Sequence, residues 1–61
     1  MSDSAKAVRE CIRKFEAAAD NCDVNRMHMA TTSGKAMQNM AADIYRQVAA
    51  DLTQALDEVE Q

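Results

Sequence analysis

Few side chains in this sequence could do chemistry, and their spacing limits what it could be. The candidates are two thiols, Cys11 and Cys22, one imidazole, His28, and four early cations, Lys6, Arg9, Arg13 and Lys14. A disulfide needs Cα atoms within about 7 Å. Cys11 and Cys22 are eleven residues apart on what reads as one helix, roughly 16 Å at about 1.5 Å per residue. They are therefore expected to be reduced and buried on its apolar side, as small hydrophobes. His28 has no Cys, His or carboxylate at a metal-ligand spacing and reads as a solvent-facing residue. Neither metal nor cofactor is expected. No nucleophile stands with a base and an orienting group, and there is no Gly-rich loop, so an enzyme is not expected.

The cations carry the stronger signal. Lys6, Arg9, Arg13 and Lys14 project outward from one helix and could contact the phosphates of RNA or DNA. They are few, no exposed aromatic is interleaved to stack on bases, and the formal net charge is −3. Acids dominate the other end, where Asp43, Asp51, Asp57, Glu58 and Glu60 face only Arg46. Each end opposes the dipole of its own helix. An antiparallel arrangement, within one chain or between two, relieves both by laying the basic start beside the acidic end.

Ala41, Ile44, Val48, Leu52, Ala55 and Val59 recur every three or four residues, which is one helical face, and no Gly or Pro interrupts them. From Ile44 the steps approach an eleven-residue repeat, which predicts a straight helix. Earlier, Val8, Phe15 and Cys22 form one row, Cys11 and Ala18 a second, and Ile12 and Ala19 widen the stripe. Ser2, Asp3 and Ser4 are competent caps, so the first helix is expected over about 4–20. Asp20 through Asn25 disfavour helix interiors, and the apolar face would next fall on Asn25 or Arg26. A new register begins at Met27. These observations predict a turn at about 21–24 and a second helix over about 25–58, with fraying at 58–61. Thr31, Thr32, Ser33 and Gly34 provide an alternative turn, or a kink, at 31–34.

The methionines mark where a partner could sit. Met27 and Met37 fall on the main face, whereas Met29, Ala36 and Met40 project to a neighbouring side, making a surface too wide for one helix partner. Methionine adapts its shape to such contacts. Met29, Met40 and Tyr45 are the expected partner-binding residues, Tyr45 because an aromatic with a wet hydroxyl suits an interface. Phe15 is expected in the core.

Sixty-one residues allow one domain, which buries only about 60% of the surface its unfolded chain exposes. Much of the 48% apolar content is alanine, and Phe15 and Tyr45 are the only aromatics, so the core is weak alone. The expected fold is all-α, an antiparallel two-helix hairpin that dimerises into a four-helix bundle. The polar first residues do not form a secretory signal, and no apolar run approaches a membrane span, so a cytoplasmic protein without membrane contact is expected. The expected function is a small helical protein-interaction module, an accessory or regulatory factor binding another macromolecule. The alternative is an RNA- or DNA-binding regulator using the basic strip.

Overall fold

In the computed structural model, which describes residues 3–60, α1 spans Asp3–Met27 and α2 spans Thr32–Glu60. The two helices pack against each other as a hairpin, and no strand occurs among the described residues. Asp3 lies in the first turn of α1, where a carboxylate complements the helix dipole. Of the other cap candidates, Ser4 is already helical and Ser2 lies outside the described residues, as does Gln61 at the far end. Residues 58–60 are helical rather than frayed.

The chain does not turn at 21–24. α1 continues through that segment and the reversal occurs over 28–31, overlapping the alternative position of 31–34 at Thr31. Residues that disfavour a helix interior are tolerated here because they find partners across the hairpin. Arg46 on α2 hydrogen-bonds Asp23 and reaches Asp20 at 3.4 Å, while Arg26 bonds Asn39 and pairs with Asp23 at 3.2 Å. The last turn of α1 tightens into three-residue steps, with the amides of His28 and Met29 donating to the carbonyls of Asn25 and Arg26. Thr31 then caps α2. Its hydroxyl accepts from the Gly34 amide at 3.0 Å, and its carbonyl accepts from the Lys35 amide at 3.1 Å. Gly34 has no left-handed backbone to favour it; a Cβ there would lie 3.1 Å from Thr31 Oγ1 and 3.2 Å from Met29 Sδ, so these side chains would have to shift by a few tenths of an ångström.

The interhelical seam has a strict three-four spacing. On α1 it consists of Ala5, Val8, Ile12, Phe15, Ala19, Cys22 and Arg26; on α2, of Gln38, Ala42, Tyr45, Ala49, Leu52 and Leu56; none of these is exposed. The α2 row is a heptad, not the longer repeat expected from Ile44 onward. Ala19, Cys22 and Ala42 form its centre, with Ala41 and Tyr45 packed against them. Phe15 and Tyr45 meet at 6.0 Å between ring centroids. Four of the six buried apolar residues are alanines: Ala5, Ala19, Ala42 and Ala49. Small side chains at these positions let two helices approach closely, but each removes little apolar area from water.

The consequence is an elongated molecule of 45 × 15 × 10 Å with a radius of gyration of 14.2 Å, against roughly 10.5 Å for a compact chain of this length. Its accessible surface is 4668 Å², whereas a folded monomer of 6.7 kDa exposes roughly 3,900 Å². One helix pair is a single layer, and it leaves each helix uncovered on the side away from the seam.

Candidate interaction surface

Moving each seam back by one residue rotates it by about 100° around its helix. On α1 this gives Ser4, Ala7, Cys11, Lys14, Ala18, Asn21 and Asn25; on α2, Met37, Ala41, Ile44, Val48, Asp51 and Ala55. Each is a second row with the same three-four spacing. Because the helices run antiparallel, both rows lie on the same broad face of the hairpin. Met37 is 70% exposed and Ile44 59%, while Ala18, Ala41 and Val48 are half-buried. Towards the chain ends this face sinks into an apolar groove of about 360 Å³ lined by Val8, Leu52, Ala55, Leu56 and Val59.

The opposite broad face is polar. Arg9 Nη2 donates to both oxygens of Glu60 at 2.7 Å, which sets the basic start of α1 beside the acidic end of α2, as the charge layout predicts. Near the turn, the same face carries the Arg46 contacts to Asp20 and Asp23. The Asp23 carboxyl is held below its ordinary value by its hydrogen bond to Arg46, aided by the charges of Arg46 and Arg26 against a smaller cost of desolvation. Arg46 is shifted up for the complementary reason. A shallow groove of about 650 Å³ on this side is lined by polar residues including Glu16, Asp20, Thr53 and Asp57.

The expected contact residues are not brought together. Met29 sits in the connection, half-buried beside Gly34. Tyr45 is in the interhelical seam against Phe15. Met40 is 65% exposed but lies on neither row of α2. Met27 and Met37, expected on the main face, are exposed instead. Of the basic strip, Arg9 is held by Glu60 and Arg13 pairs with Glu10 at 2.9 Å, while Lys6 and Lys14 are exposed. Cys22 is buried as expected; Cys11 is exposed, because its row faces away from α2. Both thiols are free. His28 is exposed in the connection.

The second row was only partly visible in the sequence. Ala41, Ile44, Val48 and Ala55 belong to it, but Leu52 belongs to the seam, so the stripe read from spacing mixes two rows. The signal that separates them is the paired heptads, offset by one residue, on both helices. Among the described residues, no group of three or more His, Cys, Asp or Glu side chains could hold a metal, and no helix is long and apolar enough to cross a membrane. No protein-family model, curated protein or solved structure matches this chain.

Proposed function

We propose that this chain is a helical protein-interaction module that acts as a symmetric dimer, two hairpins closing into a four-helix bundle through their second rows. The observation that carries this reading is the pair of three-four rows set about 100° apart on each helix, one filled by the neighbouring helix and one open. In a square four-helix bundle each helix touches two neighbours on faces about 90° apart. Area agrees with this. The surface in excess of that of a compact monomer is roughly 750 Å², close to the roughly 800 Å² that each partner contributes to a standard interface.

The contacts proposed here are Met37, Ile44 and Val48, with Met40 left at the outer edge of α2 for a further protein partner. This is the mode of an accessory or regulatory factor, which acts by presenting helix surface instead of by transforming a substrate. The nucleic-acid reading has less support, since Arg9 and Arg13 are already engaged by Glu60 and Glu10. Sedimentation equilibrium at micromolar concentration is the test. The expected result is a dimer whose affinity is insensitive to salt or tightens with it, and a cooperatively melting monomer would remove the reading. Retention on immobilised RNA or DNA that falls steeply with salt would favour phosphate contacts instead.

A further inference from the structure

The two open rows differ in size and carry opposite charge, and together they specify how a second copy would sit. The row on α1 is small, with Ala7, Cys11 and Ala18, whereas the row on α2 is large, with Met37, Ile44 and Val48. Each row is interrupted by one charge, Lys14 on α1 and Asp51 on α2. These interruptions lie at the same height along the hairpin. Asp51 is six residues beyond Tyr45, which lies beside Phe15, and five beyond Arg46, which reaches Asp20. Arg46 also pairs with Asp23, so Asp51 is level with the span from Arg9 to Ala18, and Lys14 falls in the middle of that span.

Two symmetric ways of stacking the open faces both keep neighbouring helices antiparallel. With the two-fold axis across the helices, like rows meet: large on large along α2 and small on small along α1, leaving a wedge. With the axis along the helices, α2 of each copy lies on α1 of the other, large residues fill the small row, and Lys14 of one copy comes opposite Asp51 of its partner. We infer that the second copy docks in the latter way, with both turns at the same end of the bundle and two symmetry-related Lys14–Asp51 pairs closing the interface. Lys14 has no ion pair among the described residues. Asp51 accepts one hydrogen bond, from Gln47 at 2.9 Å, and its second oxygen can accept another. The docked arrangement buries Cys11 against the partner's α2 instead of leaving it in solvent.

This inference rests on the dimer proposed above, and its test separates the two. Spin labels placed at His28→Cys in a Cys11→Ala, Cys22→Ala background report the distance between turns. Turns at one end should lie about 10–20 Å apart, the separation of adjacent or diagonal helices in a bundle. Turns at opposite ends would be separated by nearly the 45 Å length of the hairpin. Lys14→Glu or Asp51→Lys alone should each raise the dimer dissociation constant roughly tenfold, since symmetry places the altered pair in the interface twice. The double reversal should return it to within about threefold of the unmodified protein. A dimer with distant turns, or a double reversal that fails to rescue, overturns this arrangement and leaves the dimer standing. A monomer overturns both.

Discussion

Replacing Ile44 by alanine separates a residue that is merely exposed from one that awaits a partner. The change removes three carbons, worth about 0.8 kcal/mol each when fully buried, or about 2.4 kcal/mol in all. Ile44 is 59% exposed in the hairpin, so only about 1 kcal/mol of this is realised within one chain. If a second copy covers the rest, about 1.4 kcal/mol per chain, or about 3 kcal/mol per dimer, is lost from association. That corresponds to a roughly hundredfold rise in the dissociation constant. Met40→Ala is the control: Met40 is 65% exposed, much like Ile44, but lies off both rows. Sedimentation equilibrium and melting curves at two protein concentrations give the comparison. Ile44→Ala should weaken the dimer and make melting more dependent on concentration, while Met40→Ala should leave the dimer intact. Equal effects from the two variants, or no effect from Ile44→Ala, would refute the assignment of the second row.

Two further outcomes follow from the hairpin itself. Thr31→Ala removes the cap of α2, which accepts the Gly34 amide at 3.0 Å. It should cost about 1 kcal/mol and lower the melting temperature by about 4–8 °C at fixed protein concentration; an unchanged melting temperature would mean that this cap does not hold the turn. Asp23 is depressed in the folded chain by Arg46 from an ordinary value of 3.8. The unfolded chain therefore takes up this proton first as pH falls. Its contribution to stability is present above 3.8 and is lost as pH drops through the lower folded value. Acid melts should show Asp23→Asn converging on the unmodified protein in that window, and a gap independent of pH would contradict the role given to Arg46.

Two long helices are legible in the sequence because no Pro interrupts it and the sole Gly lies near the turn. The position of the turn is not, because propensity is a local quantity and the segment from Asp20 to Arg26 is held by residues distant in the chain. Asp23 disfavours a helix interior and Arg26 breaks the apolar phase until Arg46 and Asn39 are placed beside them. The misplacement of the seam has a different cause. Reading a stripe by hydrophobicity favours large residues, so Ile44, Val48 and Met37 stand out. Close helix contact favours small ones, so the seam takes Ala42 and Ala49 instead. On α1 the large residues Val8, Ile12 and Phe15 stay in the seam, Ala5 joins it, and the row of Cys11 and Ala18 falls on the open side. Charge was easier to read: the basic start and acidic end do meet, through Arg9 and Glu60.

The exchange of large for small residues in the α2 seam bears on how such a chain could be regulated. Four of the six buried residues that join the two helices are alanines, while Met37, Met40 and Ile44 of α2 face out. In the dimer proposed above, part of the apolar area that stabilises the fold would be recovered on association, so folding and binding would be linked and the folded population would rise with protein concentration. The polar broad face limits how far association can go. Ion pairs between Arg9 and Glu60, and between Arg46 and Asp20 and Asp23, occupy the side opposite the open rows. A second copy stacked on that side would have to desolvate these charges without gaining comparable apolar contact. One apolar and one charged face on each hairpin favour a closed pair over a continuing stack. A dimer built this way presents two charged faces outward and keeps Met40 at its edge, which is where a heterologous partner would find apolar surface.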